Sequence, residues 1–204
     1  MMSEEPAWRS LSRGRCFVYL LPCRYEDSQK IGFARDPWQR MQSFHARFHD
    51  FFDLDRGALI EADQVVEARS IETRLKSMFA EARWAAPLVT RHRAGGRYEW
   101  FRGVDAQAMA AMHEIGAQSG YPLHAPLAPW LRLQWMPQLA AIRDWIEARH
   151  EWIEWLRFNA DPDFVDASGQ ALRNRMEAWE AIGLPLETNL SACAWDWYRQ
   201  DAVS

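Results

Sequence analysis

The chain reads as an α+β protein: a small, mostly antiparallel three-stranded sheet flanked by helices, followed by a helical C-terminal region. Three observations lead there. Apolar runs of strand length and β-propensity occur at residues 15–21, 30–34 and 58–62. Between and after them, apolar residues recur at three- and four-residue spacing, the period of a helix with one buried face. From Asp105 onward only that helical spacing is left.

Each element has its own signal. Phe17, Val18 and Tyr19 mark the first strand, and Pro22 ends it. A polar loop leads to the second strand, Lys30 to Ala34, so the pair forms a hairpin. Asp36-Pro37 then combines an N-cap acceptor with a proline at the first helical position. The helix it opens carries Trp38, Met41, Phe44 and Phe48 on one stripe, with Arg40 off the stripe. The third strand, Ala58 to Ala62, precedes a helix capped by Asp63 and running to about Ala82, with Val66, Ile71, Leu75, Met78 and Phe79 mostly inward. Arg91 to Arg97 is a basic, glycine-containing loop, and Tyr98 to Phe101 is a short element closing the first domain.

A helix over about 105–118 stops at Gly120-Tyr121-Pro122, and three prolines make the stretch from Pro122 to Pro129 a linker. Beyond Pro137, which breaks the start, Ile142, Trp145, Ile146, Trp152, Ile153 and Leu156 mark a long amphipathic helix. Two more helices follow, about 168–182 and 188–200. The reading therefore divides the chain into a domain over 1–103 and an acidic, tryptophan-rich helical domain or extension over 104–204.

Composition bounds the function. The 204 residues are 49% apolar and 25% charged, an ordinary globular balance. No apolar run approaches the ~20 residues that span a bilayer, and Met1 to Arg15 has no apolar core, so a cytoplasmic protein is expected. Cys16, Cys23 and Cys193 have no CxxC spacing, which argues against a zinc site or a disulfide framework and for reduced, mostly buried thiols. The net charge of −4 is unusual for a nucleic-acid binder, but it is divided. Residues 1–103 hold 17 Lys/Arg against 14 Asp/Glu; residues 104–204 hold 7 against 14. Eight of the 12 tryptophans lie in the second half, material for a compact core or a docking surface.

The order and gaps of a few residues are more specific than any of this. Val18-Tyr19-Leu20-Leu21 is followed by Lys30-Ile31-Gly32, then Arg40 eight residues after the glycine, then Glu72 in a helical run, then Tyr98-Glu99-Trp100-Phe101. Over about residues 15–103 this series resembles the GIY-YIG nuclease family, in its phage-type branch with a Lys-Ile-Gly second motif. The resemblance implies cleavage of phosphodiester bonds in nucleic acid, with DNA the expected substrate. It makes Tyr19 the tyrosine that helps position the attacking water, Lys30 the first residue of the second motif, Arg40 the group on the scissile phosphate, and Glu72 the single ligand of a Mg²⁺ (or Mn²⁺). Phe44 stands where the family usually places a histidine or tyrosine.

The chemistry of these residues agrees with those roles. A guanidinium can clamp a phosphate through two donors, and a carboxylate suits a hard divalent cation that keeps most of its waters. Arg35 and the loop arginines Arg91, Arg93 and Arg97 are candidates for sequence-independent phosphate contacts. His45 and His49, four apart, could hold a transition metal but read better as partly exposed helix histidines. Two other functions stay open: a nucleic-acid-binding module that has lost turnover, and a protein-interaction or self-association device working through the C-terminal helices.

Overall fold

The computed structural model describes residues 14–88, 96 and 99–200. The described residues up to Trp130 form one compact unit and those from Leu131 onward another.

The first unit is built on a five-stranded antiparallel sheet: β1 (Cys16–Pro22), β2 (Ser28–Ala34), β3 (Ala58–Ala62), β4 (Trp100–Arg102) and β5 (Leu123–His124), in the order β4-β2-β1-β3-β5. The class is as expected, but the sheet has two strands more than the three read from the sequence. Trp100–Arg102 extends the sheet beside β2, and Leu123–His124 pairs with β3 inside the stretch expected to be a linker. Strands of three and two residues carry too little alternation to stand out from a loop.

β1 is central and buried along its whole length. Side chains alternate between the faces of a strand, so its residues divide into two sets. Cys16, Val18 and Leu20, with Ile31, Ala58, Ile60 and Ala62, face a core closed by α3 (Val65–Met78) and α4 (Asp105–Ser119), through Ala68, Ile71, Leu75, Ala108, Met112 and Ile115. Phe17, Tyr19 and Leu21 point the other way, where Tyr19 meets the aromatic cluster of α1 (Pro37–Phe44) and α2 (Phe48–Phe51). Because α4 and β5 pack on this sheet, the unit continues past residue 103, where the sequence reading placed the domain end.

α1 starts as expected: Asp36 Oδ1 accepts the Gln39 amide at 2.8 Å and Pro37 opens the first turn. It ends early, because His45 is extended and its Nδ1 accepts the Arg47 amide, and the chain restarts as α2. His45 and His49 are therefore not successive turns of one helix. Nor are both partly exposed: His49 is buried, and burial pushes its pKa down to about 4. α3 is capped by Gln64 and not Asp63: the Gln64 amide donates to Glu67. It ends at Met78, before a 3₁₀ turn over Ala80–Ala82. Val66 and Met78, expected inward, are exposed.

α5 (Leu127–Trp135) begins in the former linker, and a 3₁₀ turn at Met136–Gln138 follows, where Pro137 interrupts the helix. The second unit then holds α6 (Leu139–Asn159), α7 (Pro162–Ala181) and α8 (Ala192–Gln200). Ile142, Ile146, Ile153 and Leu156 form the buried stripe of α6, and Trp179 packs edge-on against Trp135 and Trp145. α7 starts about six residues earlier than expected, because Asp161 and Pro162 supply a cap and first turn. Cys16 and Cys23 are buried and Cys193 is exposed. Among the described residues, no helix is long and apolar enough to cross a membrane.

Candidate active site

Tyr19 and Gly32 are direct partners in the β1–β2 ladder. A Cβ on Gly32 would lie 2.3 Å from the Tyr19 hydroxyl, so the glycine is the slot that admits the phenol. The ring packs edge-on against Phe44 of α1, at 6.3 Å. One turn earlier on α1, Arg40 lays its guanidinium over the same Phe44 ring at 4.5 Å and hydrogen-bonds the Tyr19 hydroxyl. Burial raises the Tyr19 pKa well above its ordinary value and outweighs the opposing pull of Arg40, so the hydroxyl stays protonated. Arg40 is only half-buried. With Arg35, Gln39, Ser43 and Ala34 it lines an open groove of about 650 Å³ at the end of β2.

A second group joins this one from the sheet edge. Lys30 is fully buried, its ammonium between the rings of Phe44 (4.7 Å) and Trp100 (4.9 Å), and it donates to Glu99 Oε2 at 2.8 Å. Burial lowers the Lys30 pKa to about 8, even with Glu99 pulling the other way. Glu99 lies against Gly96, whose φ of +56° and missing Cβ leave room for the carboxylate. Its other oxygen accepts from Lys76 Nζ at 3.2 Å, and the same ammonium sits 2.6 Å from Glu72 Oε1. Burial pushes the Glu99 carboxyl up, but Lys30 and Lys76 together outweigh it and hold it below the usual range. The result is a continuous chain of alternating charge, Lys30–Glu99–Lys76–Glu72, beside the Tyr19–Arg40 pair.

The residues singled out in the sequence thus fall into three groups. Tyr19 and Arg40 touch; Arg35 is exposed beside Arg40 on the groove; Lys30 and Glu72 are linked through Glu99 and Lys76. Arg91, Arg93, Arg97 and Tyr98 lie outside the described residues. Glu99 and Lys76 were not anticipated as members of the site. The four-residue spacing of Glu72 and Lys76 on a helix is an ion-pair signal visible in the sequence, whereas nothing local ties either to Glu99. Phe44, in place of a polar group, is the common floor under Tyr19, Lys30 and Arg40.

Among the described residues, no group of three His, Cys, Asp or Glu side chains gathers to hold a metal ion. A divalent ion here would rest on Glu72 with water or phosphate completing its shell. The Glu72 carboxylate is of the right chemistry, but the Lys76 ammonium already occupies a cation's place on Oε1, so the fit requires Lys76 to move off.

The family model of the T5orf172 domain, a phage-associated nuclease-like domain, matches residues 16–116. The match begins at β1 and runs into α4, so it takes in the whole candidate site. It is compatible with a nuclease-like or DNA-binding role. No curated protein and no solved structure matches the chain.

Proposed function

We propose that the first unit is a metal-dependent endonuclease of the GIY-YIG type, acting on DNA. The observation that carries this reading is the meeting of the Tyr19 hydroxyl and the Arg40 guanidinium over Gly32, at the head of a groove that Arg35 also lines. A phosphate in that groove meets two guanidinium groups. Arg40, half-exposed and braced on Phe44, offsets the charge that grows on the phosphoryl oxygens as the bond to the nucleophile forms. Tyr19, almost wholly buried and held protonated, does not act as a phenolate; its hydroxyl holds the Arg40 guanidinium in place. Lys30 is too buried to reach substrate; it fixes Glu99 and, with Trp100 and Phe44, the floor of the site. Glu72 is the residue that would hold Mg²⁺ or Mn²⁺, which when bound supplies a Lewis acid for a phosphate oxygen.

A second reading is a nucleic-acid-binding module without turnover. It is favoured by one observation, that Glu72 and Glu99 are both already neutralised by lysines. Cleavage of plasmid, linear, branched and single-stranded DNA, and of RNA, with Mg²⁺ or Mn²⁺ against EDTA separates the two. The nuclease reading expects metal-dependent product that Arg40→Ala and Glu72→Ala each reduce at least about 100-fold, the loss typical of a removed charge-stabilising donor. Salt-sensitive binding with no product from any substrate would establish the binding module instead.

A further inference from the structure

We propose that Lys76 is an internal counter-ion that a divalent cation must displace from Glu72, so that loading the site is an exchange of one cation for another. This rests on the reading of Glu72 as the metal-holding residue and adds a positioning role for Lys76 and Glu99. The geometry is specific. Lys76 Nζ lies 2.6 Å from Glu72 Oε1 and 3.2 Å from Glu99 Oε1, so one ammonium is shared by two carboxylates on different elements. Glu72 and Lys76 are one helical turn apart on α3, and Glu99 immediately precedes β4. All three side chains are mostly buried, which strengthens each charge interaction relative to bulk water.

The arrangement supplies both halves of an exchange. A small, hard cation at Glu72 would repel the ammonium beside it. Lys76 has a flexible four-carbon stem, and Glu99 is a second partner already in contact with it. The ammonium can therefore leave Glu72 without losing its last carboxylate. Glu99 in turn stays fixed by Lys30, which donates to its other oxygen. No proton is transferred: Lys76 remains an ammonium in both positions. The functional consequence is that Glu72 is never left as an uncompensated buried charge, which would be costly. The corresponding cost is a weakened affinity for metal.

The test is Mn²⁺ binding to the full chain, followed by the loss of the free-ion electron paramagnetic resonance signal. It compares the parent with Lys76→Met, Lys76→Arg, Glu72→Gln and the Lys76→Met/Glu72→Gln pair, each shown to be folded by circular dichroism. Removing the competing charge is expected to tighten Mn²⁺ binding by about ten-fold or more. Lys76→Arg, which keeps the charge, should bind as weakly as the parent. Glu72→Gln should abolish the gain in the double variant. Binding by Lys76→Met no tighter than the parent's would overturn the exchange, as would a gain that survives Glu72→Gln. The outcome is separable from the nuclease reading. Tighter Mn²⁺ binding in Lys76→Met with no cleavage by the parent would leave the exchange standing and remove the enzyme. Metal-dependent cleavage with no effect of Lys76 on binding would do the reverse.

Discussion

At the scale of single residues, the most unusual choice is to bury a lysine completely beneath a catalytic-looking surface. Lys30 is compensated by one carboxylate oxygen and two aromatic faces, and still has its pKa lowered to about 8 from an ordinary 10.5. That shift has a definite consequence for stability. Below pH 8 the amine is charged in both the folded and the unfolded chain and contributes no pH dependence. Between pH 8 and 10.5 the folded protein has released a proton that the unfolded chain still binds, so stability rises with pH across that window. The rise amounts to at most about 3 kcal/mol, from the size of the shift. Tyr19, Cys16 and Cys23 oppose it, because their raised values keep protons on the folded state that the unfolded chain loses. Urea unfolding of the parent and of Lys30→Met at several values from pH 7.5 to 10.5 isolates the lysine, since the other groups cancel in the difference. The parent should gain on the variant as pH rises. A constant difference would mean that Lys30 titrates like a solvated lysine.

At the scale of elements, the site depends on α1, which delivers Arg40 and Phe44 together. An eight-residue helix is too short to be stable by propensity alone, so its cap and its packing decide whether it forms. Asp36→Ala should cost about 1 kcal/mol, read as a lower midpoint in urea, and should weaken cleavage through Arg40 without touching it. An unchanged midpoint would show that aromatic packing alone holds α1. This helix start was legible because Asp36-Pro37 acts locally, as was β3, a self-contained apolar run. The end of α1 was not. Phe44 and Phe48 keep a helical four-residue spacing across a break, since both pack into one aromatic cluster, through Phe52 and Trp38, from two different helices. The same distinction runs through the site. Tyr19, Gly32 and Arg40 could be picked out by their spacing, because a hairpin and the helix after it convert sequence gaps directly into distances. The link from Lys76 to Glu99 could not, because it joins residues 23 apart and depends on Gly96 making room for the carboxylate.

At the scale of the whole molecule, the tension is between an overall charge of −4 and the proposed nucleic-acid substrate. Net charge is a poor guide when charge is segregated, because a phosphate backbone responds to the field at the groove and not to the sum over the surface. The groove presents Arg35 and Arg40, with Asp36 between them in sequence but committed to capping α1. Each phosphate neutralised by such a group releases condensed counter-ions, so log affinity falls with log salt by roughly 0.9 per contact on duplex DNA. Binding of the full chain to a duplex, measured by anisotropy without metal from 50 to 300 mM salt, should therefore show a clear negative slope. Arg35→Ala should make that slope shallower by about one contact. It should weaken binding alike on unrelated sequences, because phosphate contacts carry no base information. A slope that is unchanged in Arg35→Ala and in Arg40→Ala would place the nucleic acid away from this groove. It would also remove the basis for assigning Arg40 to the scissile phosphate, since a group that does not feel the backbone cannot stabilise charge on it.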